Sequence, residues 1–266
     1  MASIEIAVIS LPNATDRRTA AAERLNALAW PWRFFNAHTA NENSLPYDPE
    51  QALLRRGYRL KPAEIGCFSS HFACMKAHSA RTEGEYPYLL VLEDDVVLDP
   101  AFNLEMIPAL MQSLQIEYLR LFSRFMTRVK YLGRVGSDRG LYRFIVPPYG
   151  TQAYVVSKLG ARRFVESVSR IDRPVDDELD RYWANRLPTY ALFPYPVVES
   201  STLTTVAKGF SDNGTVSRSH RAHAFALLWR EKFRRERANL RLAAQDAAVA
   251  RALRQFKPES KTKAAG

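Results

Sequence analysis

The sequence predicts an α/β fold: a mixed, mostly parallel central sheet flanked by helices, followed by a basic helical tail. Three observations carry that expectation. Short apolar, β-branched runs alternate with stretches of helical periodicity, as in successive strand–helix units. One such run, Tyr88-Leu89-Leu90-Val91-Leu92, ends abruptly in three acids, Glu93-Asp94-Asp95. From about residue 220 to Phe256 the chain lacks Pro and Gly and becomes rich in Ala, Leu and Arg. The expected division is a domain over 1–219 and an amphipathic tail over 220–266.

Ile4 to Leu11 is apolar and β-branched, a first strand. Pro12-Asn13-Ala14-Thr15-Asp16 is a turn and helix start. Arg17 to Leu28 has helical character, with Ala20, Leu25 and Leu28 available for a buried face. Trp32 to Ala37 reads as a second strand and His38 to Tyr47 as a polar loop. Pro62 with Glu64 opens a helix that runs to about Arg81, proline in the first turn and an acid near the positive end of the dipole. Strands follow at Tyr88, at Tyr118 to Phe122 and at Thr151 to Ser157, then a helix over Leu159 to Val168. There is no internal repeat. Pro258 to Gly266 reads as a frayed end.

Composition narrows the function. With 266 residues, 47% of them hydrophobic, the chain can bury a sizeable core, which excludes wholesale disorder. A formal net charge of +10 calls for an anionic partner: a phosphorylated substrate, an anionic membrane face or nucleic acid. Cys67 and Cys74 lie seven apart on a helix, so ~10 Å separates them along its axis, beyond disulfide reach. They read as reduced core thiols of a reducing compartment. The start, Met1-Ala2-Ser3-Ile4-Glu5, has no basic leader pattern, and no run approaches the ~18 apolar residues of a membrane span. The expected location is cytoplasmic, with peripheral contact on the inner face of the cytoplasmic membrane.

The acid triplet is the sharpest chemical signal. A buried strand does not end in Glu-Asp-Asp for packing reasons, because ionised carboxylates are costly to desolvate unless paired or bound to a cation. Alternation along an extended chain puts Glu93 and Asp95 on one side and Asp94 on the other. Carboxylates at the carboxyl end of a sheet strand lie where open α/β folds bind ligands. Hard oxygen ligands there suit Mn²⁺ or Mg²⁺, a natural partner of a diphosphate.

Three segments together resemble glycosyltransferase family 25, the lipooligosaccharide/LPS-biosynthesis group that includes bacterial β-galactosyltransferases. They are Glu64-Ile65-Gly66-Cys67-Phe68-Ser69-Ser70-His71, Val91-Leu92-Glu93-Asp94-Asp95-Val96, and Gly150-Thr151-Gln152-Ala153-Tyr154-Val155-Val156-Ser157 with Gly160-Ala161. Val8-Ile9-Ser10-Leu11 with Asp16-Arg17-Arg18, and Pro174-Val175-Asp176, resemble further elements of the family. The resemblance covers roughly residues 4 to 205 and leaves the tail unexplained. It implies a GT-A-like domain, a UDP-sugar donor, with UDP-galactose the expected one, and transfer with inversion to a lipid-linked oligosaccharide acceptor.

The residues bear those roles chemically. A divalent ion held by Asp95 and Glu93, with Asp94 beside them, neutralises the charge of a departing diphosphate. Inversion needs a base opposite the leaving group, for which Asp176 and Asp177 are both candidates; the same acids also suit a helix first turn. Glu64, Ser70 and His71 share a helix that the resemblance brings to the donor. Arg17 and Arg18 can meet phosphate or uracil. Gln152 can bond sugar hydroxyls, and Tyr154 can offer a stacking face. His220 and His223 are further candidate ligands.

The tail has Phe225, Leu228, Trp229 and Phe233 at helical spacing, with Arg230, Arg234, Arg235, Arg237 and Arg241 crowding nearby. Docking on an anionic membrane and packing on the domain are both consistent with it. The rival to a transferase is a basic nucleic-acid-binding protein, but no recognition motif or stacking pattern supports it, and nucleic acid is not an expected partner. A phosphoryl-transfer enzyme lacks its phosphate loop. A catalytically inactive homologue is the other alternative.

Overall fold

The structure is a computed structural model that describes residues 4–28, 30–42, 45–82, 86–136, 138–200 and 218–256. Its first half runs β1 (Ile4–Ser10), α1 (Thr15–Asn26), β2 (Trp32–Asn36), a 3-10 turn (Ala40–Glu42), α2 (Pro49–Arg56), α3 (Pro62–Ser79), β3 (Tyr88–Glu93) and β4 (Val96–Leu98). Then come α4 (Met106–Leu114), β5 (Tyr118–Arg120), β6 (Val129–Val135), β7 (Arg139–Phe144), β8 (Ala153–Ser157) and α5 (Lys158–Ser167). The chain closes with α6 (Val175–Leu179), α7 (Tyr182–Asn185), β9 (Tyr190–Phe193), β10 (Val197–Glu199) and α8 (Arg218–Gln255).

Eight strands form one sheet in the order β2-β1-β3-β8-β5-β9-β7-β6, and β10 pairs with β4 alongside. β1 is parallel to β2 and β3, and β5 to β9. β8 is antiparallel to β3 and β5, and β7 to β9 and β6. Six strands therefore run one way and two against them, the mixed, mostly parallel sheet the sequence predicts.

Every residue of β1 is buried because helices cover both faces of the sheet. Alternation sorts them: Ile4, Ile6 and Val8 join Leu90 and Leu92 in a core shared with α4, while Ala7 and Ile9 join Leu89 and Val91 against Phe68 and Phe72 of α3. Each buried Leu, Ile or Phe contributes ~1.5–3 kcal/mol. α1 buries Ala21 and Leu25; Ala20, one residue away, stays partly exposed, because the helix turns its 21/25 stripe inward. Helix α2 and hairpin β6–β7 were not foreseen. The first is short, although Asp48 caps it by accepting from Gln51 N at 3.0 Å. The second lies at the sheet edge, where Lys130, Arg134 and Arg143 interrupt the apolar pattern.

The tail helix is partly built into this core. Val249 and Leu253 are buried in the cluster shared with α4. Asp246 pairs with the buried Arg143 of β7 at 2.6 Å. Packing on the domain therefore holds for the C-terminal end of α8, while its N-terminal half leaves Phe225, Leu228, Trp229 and Phe233 exposed. Pro258 to Gly266 lies outside the described residues. Among the described residues, no helix is long and apolar enough to cross a membrane.

Candidate active site

Strand direction brings the chemistry together. Parallel β1 and β3 end side by side, Ile9 paired with Glu93. Antiparallel β8 begins at that same edge, and Glu93 N donates to Gln152 O at 2.9 Å. Gly150, Thr151 and Gln152, the first half of α3 and the start of α6 therefore meet at the carboxyl ends of β1 and β3, the edge where α/β sheets hold ligands. A cleft of about 620 Å³ opens there. Its walls include Arg17, Glu64, Ser70, His71, Glu93, Asp94, Asp95, Gln152 and Asp176.

The three acids do not alternate, because β3 ends at Glu93 and Asp94-Asp95 form a turn before β4. All three line the cleft. Asp94 is held in place: Ser10 Oγ donates to its Oδ2 at 2.6 Å and Arg17 Nη1 lies 3.2 Å from Oδ1. Burial still pushes its carboxyl above the ordinary range. Thr151 Oγ1 donates to Glu93 Oε1 at 3.1 Å. Burial pushes Glu93 up too, but His71 and Thr151 outweigh it and hold the carboxyl below its ordinary value. Asp95 differs from both. Its Oδ1 is buried without a hydrogen-bond partner. Burial first, then the neighbouring charges of Glu93 and Asp94, raise its carboxyl to about 6. A cation would relieve that repulsion and give this oxygen a partner.

Cys67, His71 and Glu93 form a second possible ligand group, their donor atoms within 4.8 Å of one another. Burial pushes the Cys67 thiol well above its ordinary value, and a soft thiol is a less natural partner for Mn²⁺ or Mg²⁺ than the carboxylates of the acid turn. His71 is fully buried. Its Nδ1 is 3.0 Å from the Tyr154 hydroxyl and its Nε2 is 3.6 Å from Glu93 Oε1. A Tyr154 hydroxyl that donates to Nδ1 leaves the ring proton on Nε2, facing Glu93.

The structure separates the two base candidates. Asp176 lines the cleft; its Oδ2 accepts from Gly150 N at 3.0 Å and its Oδ1 from Asp177 N at 2.9 Å. Asp177 turns away to Arg56, 2.8 Å from Nη1, and burial raises its carboxyl to about 6. Beneath them the buried Arg120 pairs through Nε and Nη2 with Asp180, at 3.1 and 2.9 Å. Arg120 also donates to the carbonyls of Tyr149 and Gly150. One guanidinium thus ties β5 to α6 and to the turn that bonds Asp176. Gly150 has φ +85, a left-handed conformation that glycine adopts without the strain a side chain would bring.

Other expected residues take supporting places. Glu64 caps the start of α3, accepting from Lys61 N at 2.8 Å, and also accepts from the Tyr58 hydroxyl at 3.0 Å. Ser70 accepts from His38 N at 2.8 Å, fixing the loop that forms one cleft wall. Gln152 Nε2 donates to Glu199 Oε1 at 2.7 Å. Tyr154 is fully buried behind His71, so it backs that ring and offers no face to the cleft. Arg18 also points away from the cleft: it stacks on Phe34 and donates to Asn36 Oδ1 at 2.6 Å. His223 is exposed on α8 and does not line the cleft; the His220 side chain lies outside the described residues. Sequence reasoning missed Arg56, Lys61, Arg124 and Tyr149, which line the cleft. Lys61 stood beside the α3 motif and was legible. Tyr149 likewise directly precedes the Gly150-Thr151-Gln152 motif, whereas Arg56 and Arg124 come from segments with no motif, brought in by folding alone.

A sequence model of "Glycosyltransferase family 25 (LPS biosynthesis protein)" matches residues 3–179, the span that contains β1, α3, the acid turn, β8 and Asp176. No curated protein matches the chain. Among solved structures the chain is similar to the crystal structure of a glycosyltransferase involved in the glycosylation of the major capsid of PBCV-1, at 13% identity and a TM-score of 0.30. That likeness covers 60% of this chain and spans 62% of the length of the other, and is too slight to bear on function. With two thirds of its length, and every wall of the cleft up to Asp176, inside the family match, the chain belongs to glycosyltransferase family 25.

Proposed function

We propose that the protein transfers a hexose, galactose, from a UDP-sugar to a lipopolysaccharide or lipooligosaccharide core acceptor, with inversion, on a GT-A-like domain. The observation that carries this is the contrast inside the acid turn: Asp94 is fully bonded while Asp95 Oδ1 is buried, unpartnered and facing like charge. Such an oxygen suits a hard cation, and the cleft beside it is lined by Arg17, Arg56, Lys61 and Arg124, which suit a diphosphate.

Asp95 and Glu93 would hold Mn²⁺ or Mg²⁺, which when bound neutralises charge on the leaving diphosphate. Arg17 and Arg124 orient the donor phosphates. Gln152 bonds sugar hydroxyls. Asp176 accepts the proton of the acceptor hydroxyl as its oxygen attacks the anomeric carbon; the bond to the UDP oxygen breaks on the opposite face, which inverts the centre. Two backbone amides fix the Asp176 carboxylate and leave it lone pairs for that proton.

The test is thermal unfolding with UDP, UDP-galactose, UDP-glucose and UDP-N-acetylglucosamine, each with and without Mn²⁺. Ligand at 100 times its dissociation constant stabilises the native state by ~2.7 kcal/mol. Stabilisation that needs nucleotide and metal together, largest with UDP-galactose, is expected. No shift with any donor would overturn the reading.

A further inference from the structure

Helix α8 carries ten basic and three acidic residues. All three acids are engaged by arginines of the domain. Glu231 pairs with Arg181 at 2.8 Å, Glu236 with Arg128 at 3.5 Å and Asp246 with Arg143 at 2.6 Å. The negative charge of the helix is therefore spent in attaching it, and its positive charge is left outward. Arg230, Arg234, Arg237 and Arg241, at spacings of four, three and four, form one exposed stripe. Among the described residues none of these four forms an ion pair.

Beside that stripe runs an apolar one. Phe225, Trp229 and Phe233, each four residues on, are 62, 53 and 62% exposed, and Leu228 and Leu240 extend the face. The Phe225 and Trp229 rings meet edge to face, 5.9 Å between centroids, and Lys232 lies 4.7 Å over Trp229. The surface continues onto the domain. Arg128 reaches Glu236 on this side of the helix, and two and three residues before it Met126 and Phe125 are also exposed. Next in line, Arg124 lines the cleft. The exposed face of α8 thus presents aromatic and aliphatic side chains beside a row of arginines, and the segment 124–128 links it to the cleft.

We infer that this edge docks on an anionic lipid bilayer, with Phe225, Trp229 and Phe233 entering the headgroup boundary and Arg230, Arg234, Arg237 and Arg241 on lipid phosphates. Aromatic side chains flanked by unpaired arginines match the two layers of such a surface, apolar below and anionic above. Exposed aliphatic Leu228 and Leu240 and rings packed on one another are a poor stacking platform for nucleic acid. Docking here would hold the cleft beside the membrane, where a lipid-linked acceptor lies. The binding itself does not depend on the transferase reading.

Co-sedimentation of the full chain with vesicles tests it, using phosphatidylcholine alone and phosphatidylcholine with phosphatidylglycerol in equal parts, at low and high salt. Binding to the anionic vesicles only, weakened by salt, is expected, with a blue shift of tryptophan emission. W229S/F233S should abolish the shift and the binding. The combined R230Q/R234Q/R237Q/R241Q variant should weaken binding by roughly 600-fold, at about fivefold per charge. Both variants should unfold at the wild-type temperature, since these side chains are exposed. Equal binding to neutral vesicles, binding untouched by either variant, retention on polyanions without vesicle binding, or self-association through this face would each overturn the proposal. Lipid binding is read without turnover, so its failure would leave the transferase reading standing.

Discussion

Asp94 and Asp95 are neighbours with opposite fates: Asp94 Oδ2 accepts the Ser10 hydroxyl at 2.6 Å, while Asp95 Oδ1 is buried with no partner. The turn after β3 creates the difference, since it points one carboxylate at β1 and the other into the cleft. The first predictions follow from that pair.

Asp95→Asn should stabilise the metal-free protein above pH 7. A carboxyl raised to about 6 in the fold, from an ordinary 3.8, adds stability only when protonated. That contribution is complete below the unfolded value and is lost as pH rises through about 6. The variant should unfold later at neutral pH by roughly 1 kcal/mol, allowing for solvent screening. Its response to Mn²⁺ should vanish. Unfolding curves at pH 5 and pH 8, with and without metal, read both effects; an unchanged metal response would remove Asp95 from the metal site.

Ser10→Ala should raise the Asp94 carboxyl further, because the hydroxyl is a bond to the charged form. The acid limb of kcat/KM against pH should move to higher pH, with a stability loss of about 1 kcal/mol. A pH profile identical to wild type would show that Asp94 does not titrate in the working range.

Asp176→Asn should lower kcat by ~10²–10⁴-fold, the usual contribution of a positioned base, with donor binding preserved. Asp177→Asn should retain most turnover, because that carboxyl faces Arg56 and not the cleft. Steady-state kinetics with donor titration separates the two; loss confined to the Asp177 variant would reverse the assignment.

Asp180→Asn should destabilise the fold by ~3–5 kcal/mol, since it strands the buried Arg120 charge. The loss should be visible in chemical denaturation and be accompanied by lower kcat, because Arg120 also holds the Tyr149–Gly150 turn. A variant as stable as wild type would show that the pair is replaceable.

The sequence by itself determined the α/β alternation, the strand that ends in acids, the α3 motif and the helical tail. Each is written in local periodicity, in breaker residues or in charges placed where packing would not put them. It could not separate Asp176 from Asp177, or Arg17 from Arg18, because adjacent residues share every local signal. Only the tertiary structure decides which of each pair faces the cleft, through the α6 turn and the α1 register. The same holds for Arg56 and Arg124, which reach the cleft from segments without a motif, and for Tyr154, whose burial depends on β8 being covered by α3. The sequence of α8 marks an aromatic, Arg-rich first half and an Ala-rich second half, but not which of them packs on the domain. Arg143 of β7 and Arg181, just before α7, both distant in the chain, decide which of its faces turns inward and which is left for solvent.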